Sequence, residues 1–572
     1  MDVGDATMIE HFLHFALQAV LKRSWDELMH ATHEPARMQS SRLLDIIRFN
    51  QETLFGKEHG FSEVRSVDDF RNRVPVRTYE DFEPYIRRMR NGEPRVLTIE
   101  SPDLFGRTSG TTGEPKFIPI TSAFYEEFSK MQKMWQRKLV ADHRGMLRGK
   151  ILSVMSSEVD GYTECGTPYG AMSGLSYRLQ YPITQMFYAV PYDVMCIGDF
   201  ETKYYLILRL AVEQDVAAIA ALNPSTILLL MKKLNKYAGE LCRDIADGAL
   251  RQDLDIDVQL RRTLQERMRP NKSRAREIER LAQGGGVIRG DALWKNLCIL
   301  ITWQGGSAGF FLREFPIYFA NIPFRDVGFV ATEGYFSIPL WSNTPNGLLA
   351  ITGHFFEFFE VATGGGRSDT PLGCEDLEVG KEYFIVVTTS GGLYRYDICD
   401  IIEVVDFYNK TPVIVFKQRG GNTISITGEK VTEGQVTEAM RAAVGSLGIP
   451  IEGFTLMPRL EDPPSLMLVV ETPERNDQLL TRLLTAFESE LRLRNIEYRA
   501  KRDSQRLGEP WLCLLAPGFF EECRRRRVQQ GTPDGQYKIP HIVNDVRKLG
   551  ELRALAEIPM PAAAHGENRV QP

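Results

Sequence analysis

A loop rich in hydroxyl groups and glycine, RTSGTTGEPKFIPIT at residues 107–121, carries the side chains best suited to hold phosphate. Hydroxyl groups donate hydrogen bonds to phosphate oxygens, and glycines let backbone N–H groups approach an anion closely. Lys116 adds a positive charge, although the spacing is not that of a Walker A loop. The alternative is a polar surface turn. The candidate phosphate-binding residues are Ser109, Gly110, Thr111, Thr112, Gly113 and Lys116.

Glu333 is a carboxylate placed where an α/β sheet would bind a ligand. It ends a buried-looking strand in GFVATEG and precedes Gly334. Ligands of such sheets bind at the carboxyl ends of strands, and a carboxylate there can hold Mg²⁺ that bridges phosphate groups. The alternative is a glutamate that caps a helix or forms an ion pair.

A short glycine turn in ITWQGGSAGFF contains Gly305, Gly306 and Ser307. The helix predicted after it would present an N-terminus that favours anions. The turn is therefore a candidate floor for a nucleotide or acyl site, and a tight strand-to-helix turn explains the same residues nearly as well.

Length and charge set limits on the class of protein. A chain of 572 residues is long enough for two or more domains. Its 69 basic and 75 acidic residues give a net charge of −6, which does not favour nucleic-acid binding. The eight cysteines form no CxxC pair, and the apolar run FLHFALQAVL near the N-terminus is too short to span a bilayer. We therefore expect a cytoplasmic protein that binds neither nucleic acid nor membrane; the oligomeric state stays open, with a monomer compatible.

The order of apolar patterns predicts an α/β fold with two domains. Helical spacing dominates residues 123–142 and 201–248, a strand is expected at 150–158, and residues 296–337 read strand, turn, helix, strand. Short β-rich runs follow, with hairpin turns expected at Gly391-Gly392 and Asn409-Lys410. We expect a large domain of parallel-rich α/β sheets with a β-barrel-like part, and a small mobile α+β domain. The expected divisions are 1–416, a glycine-rich hinge at 417–430, 431–560 and a disordered tail at 561–572.

Eight blocks of the sequence carry a resemblance to a known family. The loop S-G-T-x-G-x-P-K at 109–116 resembles the phosphate-binding signature of the adenylate-forming superfamily. The other blocks narrow the resemblance to the acyl-acid amido synthetases, which join acids such as indole-acetic acid or jasmonate to amino acids. These blocks are PVRTYEDFEPYIRRMRNGE (75–93), NPSTILLL (223–230), LWKNLCILITWQGGSAGF (293–310), GFVATEG (328–334), LYRYDICDIIEV (393–404), GEKVTE (428–433) and GQYKIPHIV (535–543).

The resemblance implies further site residues. It places Thr332 and Glu333 in the nucleotide site and assigns the ribose hydroxyls to Asp400, where the family usually has glycine in place of the preceding Cys399. Asp397, three residues earlier, is the alternative to Asp400. The resemblance also implies that Arg419 reaches the nucleotide; a solvated linker charge is the alternative there.

Lys538 in GQYKIP matches the mobile catalytic lysine that the superfamily carries in its small domain, although an exposed lysine is common in any protein. The segment GTPYGAMSGLSYR borders the expected acyl pocket, and its Tyr169, Met172 and Tyr177 favour an apolar acid.

The resemblance implies a ligase that uses ATP and Mg²⁺. A substrate carboxylate would attack the α-phosphorus of ATP and release pyrophosphate, and an amine, expected to be an amino acid, would then take the acyl group and release AMP. The protein's part is to position the reactants and to neutralise phosphate charge, with Lys116, Glu333 and Lys538 as the catalytic candidates. Two alternatives remain open, an acyl-CoA ligase and a non-catalytic protein that binds acyl groups or nucleotide.

Overall fold

The fold is seen in a computed structural model that describes most of the chain. The described residues are 14–15, 18–108, 116–155, 157–178, 182–284, 286–306, 308–362, 367–419, 423–424, 426, 429, 431–461, 463–503, 507–529, 538–543 and 554–560. The chain divides into two compact units, one running to Lys417 and the other containing Gln418–Gln530 and the segment from Lys538 onward.

A parallel sheet of four strands forms the α/β part of the first unit. Its strands lie in the order Lys150–Ser153, Val216–Ala220, Ile299–Ile301 and Phe324–Arg325. The strand Val216–Ala220 is almost fully buried, as expected of a strand covered on both faces. Parallel neighbours align their carboxyl ends along one edge, so the segments that follow Ile301 and Arg325 leave the sheet at the same edge.

The helices of the first unit vary from one turn to six turns. The longest, Ser122–Asp142, begins at Thr121, whose hydroxyl accepts from the Phe124 N–H at 3.3 Å. The described α-helices of this unit are Lys22–Ala31, Pro35–Phe49, Leu54–Glu58, Val67–Arg73, Tyr79–Arg90, Ser122–Asp142, Met172–Arg178, Pro182–Gln185, Tyr192–Met195, Phe200–Ala211, Pro224–Lys236, Ala238–Asp247, Val258–Arg267, Lys272–Gln283, Gly290–Leu293, Ala308–Phe311 and Phe315–Tyr318. Short 3₁₀ turns lie at Phe61–Glu63, Arg144–Arg148 and Leu312–Glu314.

A small mixed sheet holds the two strands that flank the phosphate-loop candidate. Its order is Lys116–Ile120, Leu104–Thr108, Pro168–Gly170 and Gly161–Tyr162. The first two strands form an antiparallel hairpin in which Thr108 pairs with Lys116. This residue pair therefore closes the loop between the two strands.

The remaining sheets are mainly antiparallel. The largest contains six strands in the order Ser337–Ile338, Gly347–Leu349, Thr411–Arg419, Tyr396–Tyr408, Glu382–Thr388 and Phe355–Glu360. A two-stranded hairpin joins Val330–Ala331 to Gly334–Tyr335, and another joins Thr423–Ile424 to Val431–Thr432.

The second unit is an α+β arrangement with its own apolar core. Its sheet has the order Gly453–Arg459, Ser465–Glu471, Trp511–Leu515 and Ala554–Pro559. The buried residues Met457, Val469, Cys513 and Leu515 form part of its core. Its described helices are Glu433–Leu447, Asp477–Arg494, Ile496–Asp503 and Phe519–Gln529.

The predicted fold class, α/β with a separate C-terminal domain, is confirmed. Hairpin turns lie where they were expected, at Gly391-Gly392 and at Asn409-Lys410. The helical prediction for residues 201–248 was wrong at Val216–Ala220, which is a strand. This strand contains three alanines, a residue type that favours helices. Its strand conformation is decided instead by burial between neighbouring strands. The proposed divisions at 417–430 and 431–560 stay predictions, as does the tail.

None of the helices in the described parts of the chain combines the length and the apolarity that a bilayer span requires.

Candidate active site

The strand that leads into the phosphate-loop candidate packs directly against the turn that carries Glu333. Gly106 lies in the strand Leu104–Thr108, and a Cβ added to it would come within 2.2 Å of the Thr332 Cγ2 atom. Only glycine permits this approach, so the residue at 106 allows the two segments to pack this closely. Ser109, Gly110, Thr111, Thr112 and Gly113 themselves lie outside the described residues.

Thr332 and Glu333 occupy the tip of a tight hairpin. Ala331 pairs with Gly334, which makes these two residues the connecting turn. Both are buried, with exposed fractions of 8% and 5%. The expectation that Glu333 ends one buried strand was therefore wrong in detail, since two short strands and a turn replace it. A buried carboxylate at a hairpin tip is unusual, because burial disfavours the charged form unless a partner compensates it.

His354, which the sequence analysis missed, holds the backbone of this hairpin through a hydrogen bond. Its Nε2 atom accepts a hydrogen bond from the Tyr335 N–H at 3.1 Å, and a Cβ on Gly334 would come within 2.7 Å of the same atom. The ring is fully buried beside Phe124 and Phe356. Burial, assisted by the Arg42 charge, lowers the pKa of His354 to about 3. The imidazole is therefore neutral; no sequence motif marked it, because one histidine in an apolar run reads as core.

This histidine predicts an acid sensitivity. The unfolded imidazole takes up a proton as pH falls through about 6.5, whereas the folded one does not until about pH 3, so stability is complete above pH 6.5 and is lost below it. Between pH 7 and pH 5 the wild type should lose about 2 kcal/mol more free energy of unfolding than His354→Gln, whose amide oxygen can still accept from Tyr335. Tryptophan fluorescence melts at both pH values measure this; parallel losses in both proteins would contradict it.

Lys116 lies at the other end of the loop, at the start of the strand Lys116–Ile120. Its Nζ atom stands 5.0 Å from the centre of the Tyr79 ring, and the Tyr79 hydroxyl accepts from the Phe117 N–H at 2.8 Å. The side chain is half-buried. The tyrosine therefore orients the base of the loop and provides an aromatic face for the lysine ammonium.

The glycine turn lies against the end of the strand that leads to Arg419. Gly306 has φ +55°, which favours glycine, and a Cβ there would come within 3.1 Å of the Phe416 ring. The Arg419 side chain and Ser307 lie outside what the structure describes. The structure thus brings the predicted glycine turn together with the strand Thr411–Arg419, which ends at the predicted site residue Arg419.

Asp400 is buried in the strand Tyr396–Tyr408, next to a bulge in the pairing with Glu382–Thr388. The alternative ribose ligand, Asp397, has two partners: one carboxylate oxygen accepts from the Cys399 N–H at 2.8 Å, and the other contacts the Arg367 guanidinium. Asp397 therefore holds a turn and an ion pair, and the choice between the two carboxylates as the ribose ligand stays a prediction.

Cys399 lies in the bulge with φ +60°, a left-handed conformation that costs a residue with a Cβ about 1 kcal/mol. Cys399→Gly should therefore raise the melting temperature by about 1–2 °C and leave catalysis unchanged. Cys399→Ala is the matched control, because it removes the sulfur and keeps the Cβ. A stabilisation of equal size in both variants would assign the effect to the thiol and refute the backbone explanation.

The three candidates for the acyl pocket differ in their surroundings. Tyr169 lies in the strand beside Leu104–Thr108 and pairs with Phe105, so it adjoins the strand that enters the loop. Met172 and Tyr177 are buried in the helix Met172–Arg178, and the Tyr177 ring stacks on Tyr192 at 5.0 Å. The contacts of Tyr177 are those of a packed core ring, whereas Tyr169 is half-buried.

Lys538 belongs to the second unit and is exposed. The segment 538–543 pairs with the edge strand Gly453–Arg459, since the Leu456 N–H donates to the His541 carbonyl and the Val543 N–H donates to the Leu456 carbonyl, each at 2.9 Å. His541 also stacks on the Phe454 ring at 4.2 Å. The backbone of His541–Val543, three residues beyond the lysine, is therefore held against this strand.

Solved structures show what class of fold this is. The chain superposes on the structure of the GH3.15 acyl acid amido synthetase with a TM-score of 0.84 and 23% identity, covering 94% of this chain and 97% of that one. The structure of AtGH3.15 acyl acid amido synthetase in complex with 2,4-DB gives a TM-score of 0.83 at 23% identity, covering 96% and 98%. The chain therefore has the fold of these acyl acid amido synthetase structures.

Sequence comparisons identify the family. The chain matches the GH3 family N-terminal domain over residues 24–324, the central domain over 347–419 and the C-terminal domain over 434–547. It belongs to the GH3 family of acyl acid amido synthetases. Two relatives are Jasmonoyl--L-amino acid synthetase GH3.5 of Oryza sativa subsp. japonica, 25% identical over 90% of this chain and 93% of that protein, and Indole-3-acetic acid-amido synthetase GH3.3 of Arabidopsis thaliana, 24% identical over 92% and 93%. The predicted resemblance is confirmed.

Proposed function

We propose that this chain is an ATP-dependent ligase that forms an acyl-adenylate from a small carboxylic acid and then transfers the acyl group to an amino acid. The observation that carries the proposal is the contact of Gly106 with Thr332. It joins the strand that enters the S-G-T-x-G-x-P-K loop to the turn that carries Glu333, so that phosphate donors and a buried carboxylate serve one site.

The first step activates the substrate carboxylate, which has a poor leaving group of its own. An oxygen of the substrate carboxylate attacks the α-phosphorus of ATP, the bond from that phosphorus to the β-phosphate oxygen breaks, and pyrophosphate leaves with the electron pair. Lys116, the loop hydroxyls of Ser109, Thr111 and Thr112, and Lys538 neutralise the phosphate charge in this scheme. Asp400 accepts from the ribose hydroxyls, while the turn at Gly306 and Ser307, together with Arg419, bounds the nucleotide.

Glu333 has the chemistry and the burial expected of a ligand for Mg²⁺. Mg²⁺ in nucleotide sites is usually held by one or two carboxylates together with substrate phosphates. Glu333 supplies one buried carboxylate next to Thr332, which packs on the strand that enters the loop. When bound, the ion would neutralise charge on the phosphates. The side chain of Thr332 adjoins it, and both lie at a hairpin tip whose backbone His354 fixes.

The second step forms the amide. The amine nitrogen attacks the acyl carbon, the carbon–oxygen bond to AMP breaks, and AMP leaves with that electron pair while the nitrogen gives up a proton to solvent. This step needs no phosphate transfer, so the residues that neutralise the triphosphate contribute less to it.

The substrate class follows from the relatives and from the residues near the loop. The two named relatives act on jasmonate and indole-3-acetic acid, which are small acids with a ring. Tyr169, next to the strand that enters the loop, and Phe117, whose ring lies 5.2 Å from it, offer aromatic surface for a similar body. We therefore assign an aryl or alicyclic acid to the first step and an amino acid to the second.

Competing acceptors test the proposal. The enzyme is incubated with ATP, Mg²⁺, a panel of ring-bearing acids, the twenty amino acids and coenzyme A together, and the products are measured by mass spectrometry. An amide with equimolar AMP is the expected result. A thioester of coenzyme A alone would support the acyl-CoA ligase, and no AMP with any acid would support the non-catalytic protein.

Lys116→Ala should lower kcat/KM for ATP by about 30-fold, because the loss of one charge-assisted contact to phosphate costs about 2 kcal/mol. The measurement is acid-dependent exchange between ATP and pyrophosphate, beside a thermal melt. Lys57→Ala is the control, since Lys57 is an exposed lysine of the same unit paired with Glu52. Exchange at the wild-type rate in Lys116→Ala would remove this lysine from the phosphate site.

A further inference from the structure

Asp326 is a fully buried carboxylate that joins two loops of the candidate site. One of its oxygens accepts from the Gln304 N–H at 2.6 Å, and the other accepts from the Gly328 N–H at 2.7 Å. The side chain is 3% exposed. One carboxyl group therefore holds both the entry to the glycine turn and the start of the segment that leads to Thr332.

A second contact links the same two segments. The Trp303 Nε1–H donates to the Gly328 carbonyl at 2.9 Å. Gly328 has φ +91°, and a Cβ there would come within 2.2 Å of the Ser337 carbonyl oxygen, so the backbone bends sharply at this point. The Trp135 Nε1–H donates to the Asp326 carbonyl at 2.8 Å, which fixes the backbone of the carboxylate itself.

The segments so joined continue into the site on both sides. Gly306 lies two residues beyond Gln304 and packs under the Phe416 ring. Phe329, next to Gly328, contacts the same ring at 5.3 Å. A shift of either loop would therefore be transmitted to the other through Asp326 and through one shared phenylalanine.

The location of this carboxyl group is costly for stability. Burial raises the pKa of Asp326 to about 7, and the two backbone N–H groups oppose that rise only in part. In the part of the chain that the structure describes, no ion pair to Asp326 is seen, and a buried carboxyl group without a counter-charge is costly. The two backbone hydrogen bonds are the gain that an apolar side chain could not supply.

We propose that Asp326 is a positioning residue for ATP: it sets the glycine turn and the hairpin of Thr332 and Glu333 at the spacing that the nucleotide requires. The inference rests on the proposed function, because it needs the glycine turn to face ATP. Asp326 contacts no reacting atom in this scheme and acts through the backbone of its two partners.

Asp326→Asn tests the inference. The side chain keeps its shape, but its amide nitrogen now faces one of the two backbone N–H groups, so one of the two hydrogen bonds is lost. We expect the KM for ATP in pyrophosphate exchange to rise about ten- to thirtyfold, the KM for the acid to change less than threefold, and amide formation from supplied acyl-adenylate and amine to change little.

Asp142→Asn is the matched control. Asp142, at the end of the helix Ser122–Asp142, contacts the guanidinium of Arg325, the residue before Asp326, and its described contacts include neither loop. It should lower the melting temperature without changing the KM for ATP. Equal changes in KM in both variants, or none in Asp326→Asn, would overturn the positioning role.

Trp303→Phe keeps the inference testable if Asp326→Asn does not fold. It removes the Nε1–H that joins the same loops, together with part of the indole ring, and should raise the KM for ATP about threefold; an unchanged KM would overturn the inference in that case. Failure of the proposed function looks different, since the wild type itself would then show no acid-dependent exchange.

Discussion

Lys538→Ala should slow formation of the acyl-adenylate by about 10²–10³-fold, the scale for deleting one preorganised group that stabilises developing charge. The side chain is an exposed ammonium on a segment fixed to the second unit, whereas Lys116, Glu333 and Asp400 belong to the first. In the proposed mechanism it adds a cation at the phosphates, which only the first step requires. Amide formation from acyl-adenylate should keep most of its rate.

The two steps are measured separately. One assay supplies acid, ATP and amine, and the other supplies chemically made acyl-adenylate and amine. Arg482→Ala is the control, because it removes an exposed positive charge from the helix Asp477–Arg494 of the same unit. Equal losses in both assays would show that Lys538 serves both steps or supports the fold, and the proposed division of labour would be wrong.

Gly106→Ala should lower kcat/KM for ATP by about 10²-fold, since misplacing reacting groups by about 1 Å is enough for an effect of that size. The new Cβ would lie 2.2 Å from the Thr332 Cγ2 atom, so the strand and the hairpin must move apart. Overpacking of this kind also costs about 1–3 kcal/mol of stability.

Thr332→Ser provides a rescue, because it keeps the hydroxyl group and removes the methyl group that the alanine would strike. The single Thr332→Ser variant should stay within about threefold of wild type, and the double variant should recover most of the activity that Gly106→Ala loses. Additive losses in the double variant would mean that the contact between these two residues does not position the site.

The sequence predicted the organisation of the fold better than the geometry of the site. The parallel strand Ile299–Ile301 and the hairpin at Asn409-Lys410 carry strong local signals, an apolar run followed by glycines and a polar turn pair. The strand Val216–Ala220 carries no such local signal, because its alanines favour a helix and only burial between neighbouring strands makes it a strand.

The site shows the same limit. Lys116, Glu333 and Asp400 could be named because they stand in short motifs, and their roles stay predictions. Asp326 and His354 could not be found, since each acts on backbone groups that lie far from it in sequence or around a bend. A motif records which side chains meet the ligand, whereas the groups that hold the motif in place are set by tertiary contacts.

The pairing of residues 538–543 with the edge strand has a consequence for time scales. The amides of Leu456 and Val543 donate to carbonyls across this pairing, so both should exchange hydrogen for deuterium far more slowly than an open loop. They are therefore natural reporters for the lysine segment. If they stay protected during turnover, the chain three residues beyond Lys538 stays attached to its sheet, and the reach of the ammonium is limited to those few residues and its own four-carbon stem.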